Sequence, residues 1–144
     1  DFPIGRANVK HLGSVGPEKR RELMMGARAV LVPTYYVGPF EGVNVEAQLS
    51  GCPVITTDWG CFNETVEDGV TGFRCRTMAE FLRAIELAPT LNRSAIRDHA
   101  IKNWSLERGK ELYQQYFNTL MDVGRGNGFY EMRDLESYVA RGVI

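Results

Sequence analysis

The residues best suited to chemistry fall in one run, PTYYVGPFEGVNVEAQLSGCPVI, from Pro33 to Ile55. A glycine-rich turn there leads from an apolar, β-branched run into a short helix. The first backbone N–H groups of a helix have no intrahelical partner and carry the positive end of its dipole. A diphosphate fits such a place without dedicated basic side chains. Gly42 lets the backbone come close, because no Cβ stands in the way. Glu46 falls in the first turn or so of that helix, and two readings of it stand. A carboxylate there stabilises any helix; it could equally accept the vicinal hydroxyls of a ribose, as the acid of dinucleotide folds does from a strand end. A second loop, TTDWGCFNETVEDGVTG (56–72), also opens where a strand ends. Gly60 would again allow close backbone approach, and Glu64 begins a short helix. Asp58 reads as a turn cap and Trp59 as packing. Asp68-Gly69 and Thr71-Gly72 are turn signals. His11 and His99 read as structural or surface residues.

The elements that would position these residues alternate short apolar runs with longer amphipathic ones. Asn8 to Leu12, Ala29 to Val32, Pro53 to Thr57 and Gly72 to Cys75 read as strands, most of them β-branched and ending at Gly, Pro or Asp. Continuous apolar runs such as AVLV suit strands covered on both faces, and therefore a parallel sheet. Helices are expected over Glu18 to Ala27, with Leu23, Met24 and Ala27 inward, and over Val43 to Ser50, closed by Gly51 and Pro53. Further helices are expected over Met78 to Ala88 (Phe81, Leu82, Ile85 and Ala88 on one stripe), Ser94 to Asn103, and Leu106 to Met121. Ser105 suits the N-cap of the last, with Arg108 where a capping box would carry Glu. Its stripe of Leu112, Tyr113, Tyr116, Phe117 and Leu120 reads as core packing.

Strand–helix alternation implies right-handed crossovers and an α/β, Rossmann-like parallel sheet with helices on both faces. Ligands bind such sheets outside the carboxyl ends of the strands. The loops there run from Gly13 to Pro17, Pro33 to Gly42 and Asp58 to Glu64. Four strands make a thin sheet, and the chain opens almost directly on one. The expectation is that the first βα unit or units of the domain lie outside these residues. The expected domain covers residues 1–122. Residues 123–144 read as a linker, VGRGNG from Val123 to Gly128, followed by an amphipathic piece from Phe129 to Ala140 with Met132, Leu135 and Val139 on one side.

Composition narrows the function classes. At 144 residues, 44% hydrophobic and 24% charged, the chain can pack a core but is too short for two full domains. A net charge of −1 favours neither nucleic acid nor an anionic membrane surface. No apolar run spans a bilayer, and the first residues do not form a signal peptide. Cys52, Cys61 and Cys75 lack metal-ligand spacing and read as buried thiols in a reducing, cytoplasmic setting.

The run PTYYVGPFEGVNVEAQLSGCPVITTDWGCFNETVEDGVTGF resembles the signature of the retaining GT-B glycosyltransferases of family 4 (group 1), in their C-terminal donor-binding domain. That family shares an E-P-F-G loop, a second Glu eight positions after the first, and then G-x-P-V. The turn HLGSVGPEKRREL is similar to the family's flG.v…e…l segment, and the resemblance extends over about residues 8 to 120. It implies that Glu46 holds the ribose hydroxyls, and that the backbone of Phe40, Gly42, Val43 and Asn44 receives the distal phosphate and the sugar. It further implies that Gly13, Ser14 and Val15 form the turn beside the base, and that Gly60 and Glu64 lie close to donor and acceptor. One departure is plain. The family's first glutamate, which holds hydroxyls of the transferred sugar, falls on Gly38, and the glycine after Phe falls on Glu41: GPFEG for EPFGG. Glu41 either turns outward, or replaces the absent carboxylate as a catalytic-site residue, or weakens donor binding.

For a complete enzyme the resemblance implies transfer of a sugar from a nucleoside-diphosphate sugar to an acceptor hydroxyl with retention. It implies no protein nucleophile, no metal and no cofactor beyond the donor substrate. Partners would be the nucleotide sugar, an acceptor glycan, lipid or small molecule, and an N-terminal GT-B domain that would also supply any peripheral membrane contact; nucleic acid is not expected. The family's diphosphate-binding Arg and Lys would come from the first βα unit, so these 144 residues alone are expected to bind donor weakly, if at all, and not to turn over. Two other classes remain: a non-catalytic binding or assembly module on the same fold, and a nucleotide-sugar epimerase.

Overall fold

A computed structural model describes residues 8–125. The element order is α1 (Pro17–Gly26), β1 (Val30–Val32), α2 (Gly42–Leu49), β2 (Val54–Thr57), α3 (Phe62–Thr65), β3 (Gly72–Cys75), α4 (Met78–Leu87), α5 (Arg93–Trp104) and α6 (Leu106–Gly124), with a 3-10 turn at Ala88–Thr90 between α4 and α5. The three strands form one parallel sheet in the order β1-β2-β3, with Val30 opposite Val54 and Ile55 opposite Phe73. This is the expected Rossmann-like architecture. The chain divides into two compact units, one ending at Asn103 and the other starting at Trp104.

β2 is central and wholly buried. Its side chains alternate between the two faces. Val54 joins Met24, Ala47, Cys52, Phe62 and Val66 in one apolar cluster, which brings α1, α2 and α3 onto one side. Ile55 joins Cys75, Ala84 and Ala88 in the other, under α4. Burying each large aliphatic side chain contributes about 1.5–3 kcal/mol. Gly72 is required where β3 meets β2, because a Cβ there would run into the Val54 carbonyl.

The helix boundaries have local causes. Pro17 opens α1 at a position where its missing N–H costs nothing. The far end of α1 is closed by a distant cation: the Arg93 guanidinium donates to the carbonyls of Ala27 and Met25 at 2.8 Å each. Gly51, at φ +70°, ends α2 in a Schellman arrangement, with Gly51 N–H on Gln48 O (2.8 Å) and Cys52 N–H on Ala47 O (2.9 Å). Thr77 and Glu80 form a reciprocal capping box on α4. Ser105 caps α6 by accepting from Arg108 N–H at 3.2 Å.

Several expectations fail. Asn8 to Leu12 forms no strand: the segment is exposed, pairs with nothing in the described sheet, and a lone strand has no stability of its own. His11 is therefore not a strand residue. On α4 the inward face is Phe81, Ala84 and Ala88, whereas Leu82 and Ile85 lie exposed with Met78 at the alternative helical spacing. Leu23, expected inward on α1, is likewise exposed, and Met24 alone of that helix is buried. The α6 stripe is not core, since no residue of α6 is buried. Along it Tyr113 stacks on Phe117 and Tyr116 meets the same ring edge-on. The helix also continues through Val123 and Gly124, past the start of the expected joint. The remainder of that joint and the piece from Phe129 to Ala140 lie outside the described residues. The three cysteines are free thiols and buried, as expected.

Candidate functional site

The loops after β1 and β2 are laced together at the carboxyl ends of the strands. Thr57 Oγ1 donates to Thr34 O at 2.8 Å, and Trp59 Nε1 donates to the same oxygen at 3.1 Å. Cys61 N–H donates to Gly38 O at 3.2 Å. Gly60 is left-handed (φ +61°) and lies so close to Gly38 that a Cβ on it would sit 3.0 Å from Gly38 O. Close backbone approach at Gly60 is thus real, and what it approaches is the neighbouring loop.

α2 starts from this laced base. Gly42 and Val43, its first two residues, are exposed, and a Cβ on Gly42 would meet nothing within 4 Å. Their N–H groups have no intrahelical acceptor, whereas Asn44 N–H is taken by Glu41 O at 3.1 Å. Phe40 is 55% exposed, so its own side chain is not buried in the turn. Glu41 is the N-cap residue, yet its side chain makes no capping bond. Its carboxylate folds back over Gly38, into the space that a side chain at position 38 would need. Tyr36 hydrogen-bonds to that carboxylate; the bond and the negative charge hold its phenol above the usual pKa, because phenolate would face an anion.

Asn44 and Glu46 part ways. The Asn44 side chain is fully buried: it donates to Thr65 Oγ1 (3.0 Å) and accepts from Gln48 Nε2 (3.0 Å). Gln48 Nε2 also reaches Thr65 O at 2.8 Å, and Thr65 Oγ1 donates to Cys61 O at 2.8 Å. With its N–H on Glu41 O and its side chain buried, Asn44 is not placed to receive phosphate or sugar as expected; its amide side chain bolts α2 to the 61–65 segment. Glu46 is half exposed and pairs with Arg20 of α1, Oε2 lying 2.7 Å from Nε. That pair joins α2 to the helix that follows the Gly13–Gly16 turn. Gly13 is left-handed (φ +65°), as a tight turn requires, and Val15 is partly buried. Glu64 is exposed on α3 and lines a separate shallow cleft with Asn63, Glu67, Asp68, Arg74 and His99, where His99 Nδ1 lies 3.3 Å from Glu67.

A further hollow of about 570 Å³ lies over β3 and α4, lined by Asp58, Phe73, Arg74, Cys75, Arg76 and Glu80 among others. Asp58 pairs with Arg76 at 2.6 Å and with Arg74 at 3.3 Å. Its charge is answered within the protein, in keeping with a structural role. Among the described residues no group of three or more His, Cys, Asp or Glu could hold a metal ion, and no helix is long and apolar enough to cross a membrane.

A family model, Glycosyl transferases group 1, matches residues 4–88. The chain belongs to the group 1 glycosyl transferases. The matched stretch runs through α1, the whole sheet and α4, and so contains both laced loops and the start of α2. Glycosyl transfer is the general activity of this group 1 domain, and its α/β sheet is the Rossmann-like half of a GT-B fold. A search of curated proteins finds no match.

Sequence reasoning missed Arg20, Tyr36 and the Thr65–Gln48 pair. Arg20 sits in the charged run PEKRREL, where nothing local distinguishes it from its neighbours. Gln48 did carry a signal. It lies four residues after Asn44, and so one turn above it on the same face, on a helix whose Val45 and Ala47 are buried.

Proposed function

We propose that this group 1 domain binds the nucleoside-diphosphate sugar of a retaining glycosyltransferase, which passes the sugar to an acceptor hydroxyl. The observation that carries the reading is the open start of α2. Two exposed, unpaired amides at Gly42 and Val43 stand at the positive end of a helix, at the carboxyl edge of a parallel sheet, with the half-exposed Glu46 carboxylate one turn further on. The amides suit a diphosphate. Glu46 suits the ribose diol: Arg20 fixes the orientation of a carboxylate that can accept on two oxygens. As the donor bond breaks, negative charge grows on the departing diphosphate, and prearranged N–H groups stabilise that charge without reorganising.

Calorimetric titration with UDP-, GDP- and ADP-sugars tests this. One of the three is expected to give saturable heat, and Glu46→Ala is expected to weaken it by roughly 10- to 100-fold, the worth of a charge-assisted hydrogen bond of about 1.5–3 kcal/mol. Equal binding by wild type and Glu46→Ala would remove the ribose role. A protein that binds none of the donors even when joined to its N-terminal domain and first βα unit would be better described as an assembly module on a glycosyltransferase fold.

A further inference from the structure

The hollow beside α4 belongs to the face of the sheet away from α2. Phe73 and Ala84 in its lining pack with Ile55, whereas Ala47 of α2 packs with Val54 on the other face. At about 570 Å³ it falls within the size range of small-molecule pockets, roughly 300–1,000 Å³. The glycosyl transfer proposed above does not use it.

Its charges balance in number but not in pairing. Three arginines, Arg74, Arg76 and Arg83, line it with three acids, Asp58, Asp68 and Glu80. Every acid is engaged by the protein itself. Asp58 holds Arg76 Nε at 2.6 Å and Arg74 Nη1 at 3.3 Å. Asp68 Oδ1 accepts from Arg74 N–H at 2.8 Å, and Glu80 Oε2 accepts from Thr77 N–H at 3.1 Å in the α4 capping box. The arginines are not matched in return. Arg83 is exposed and has no hydrogen-bond or ion-pair partner among the described residues. Arg76 engages its side chain only through Nε, which leaves both terminal nitrogens. Arg74 Nε is buried and meets no acceptor. What stays unmatched around the hollow is N–H donors that carry positive charge.

That imbalance decides the ligand. Arginine donates and does not accept, so the ligand must bring acceptor oxygens and negative charge. A doubly charged group would also face Asp58 and Glu80, which favours a single charge. Apolar surface adjoins the free cation: Leu87, 38% exposed, stands one helical turn after Arg83 on the same side of α4.

We propose that this hollow binds an organic monocarboxylate with an apolar body. The carboxylate sits on Arg83 and the terminal nitrogens of Arg76, and the body lies over Phe73, Ala84 and Leu87.

The test is an amide chemical-shift titration of the ¹⁵N-labelled 144-residue chain with hexanoate and with indole-3-acetate, which separate an acyl body from an aromatic one. The controls are 1-hexanol (body without charge), acetate (charge without body) and inorganic phosphate. With at least one of the two acids, amides between Arg74 and Leu87 should move and saturate, and each control should bind at least about tenfold more weakly, the worth of one charge-assisted hydrogen bond or of the buried body. Arg83→Gln should weaken the bound acid by about tenfold. Leu87→Ser should weaken it too and leave the acetate response unchanged. Both side chains are exposed, and the spectra report whether each variant is folded. The inference is overturned if neither acid moves these amides, if Arg83→Gln binds as well as wild type, or if hexanol or phosphate binds as tightly as the acids. Shifts centred on Gly42 and Val43 would overturn it as well, while leaving the donor-site reading standing; failure of every nucleotide to bind would do the reverse.

Discussion

Replacing Asn44 by Ala tests the bolt that holds the start of α2 against the 61–65 segment. Asn44 is fully buried and makes two side-chain bonds, one to Thr65 Oγ1 and one from Gln48 Nε2. Gln48 Nε2 keeps its second acceptor, Thr65 O, so it is not orphaned. Thr65 Oγ1 keeps its own acceptor, Cys61 O, and loses only a donor to its lone pairs. Two lost bonds at about 1 kcal/mol each, with about 1 kcal/mol for the space left behind, give a loss of about 3 kcal/mol. With a urea m-value of about 1.5–2 kcal/mol/M for a small domain, the midpoint should fall by about 1.5–2 M. Lys19→Ala is the control, since its exposed pair with Glu22 is worth at most about 0.5 kcal/mol. A double-mutant cycle with Thr65→Val should show coupling of about 1 kcal/mol. If Asn44→Ala shifts the midpoint no more than Lys19→Ala does, or if the cycle is additive, the network does not bolt α2 in place.

Gly72→Ala should prevent β3 from pairing as it does, because the added Cβ would meet the Val54 carbonyl; loss of the cooperative urea transition, or a drop of several kcal/mol, is the expected readout. Backbone hydrogen bonds from Arg76 and Thr77 hold the Glu80 carboxyl below its usual value, so its contribution is full above about pH 4.5 and is lost as pH falls further. The stability gap between wild type and Glu80→Ala should accordingly narrow in acid. Burial pushes the Cys75 thiol up to about 11 from 9.0, so the folded state keeps a proton that the unfolded state releases. Stability from this group is intact below pH 9 and lost towards 11, and wild type should destabilise more steeply over that interval than Cys75→Ala.

Local sequence carried most of the framework. Val30–Val32 and Val54–Thr57 are strands within a residue of where their β-branched runs suggest, Gly72–Cys75 is a strand as expected, and Gly51 closes α2 as its conformational freedom implies. What local sequence could not carry is anything decided by distant partners. Asn8 to Leu12 has a strand's composition but no described strand to pair with. Phe81, Leu82 and Ile85 all fit a helical stripe, and only the position of the sheet decides which of them turns inward. The site divides the same way. The α2 start was legible from the Gly-rich turn and Glu46, whereas Arg20–Glu46 and Asn44–Thr65 close across 26 and 21 residues. The exchanged residues Gly38 and Glu41 were visible as an oddity in the sequence; that one fills the other's space required coordinates.

The account rests on a diphosphate lodging at the first turn of α2. Its most direct test is the set of amide shifts as UDP, GDP or ADP is added to the labelled protein. The account predicts that the Gly42 and Val43 amides move furthest, saturate on one binding curve, and do so more weakly in Glu46→Ala. Shifts centred instead on the Asp58–Arg76 hollow, or a spectrum unchanged by all three nucleotides, would contradict it.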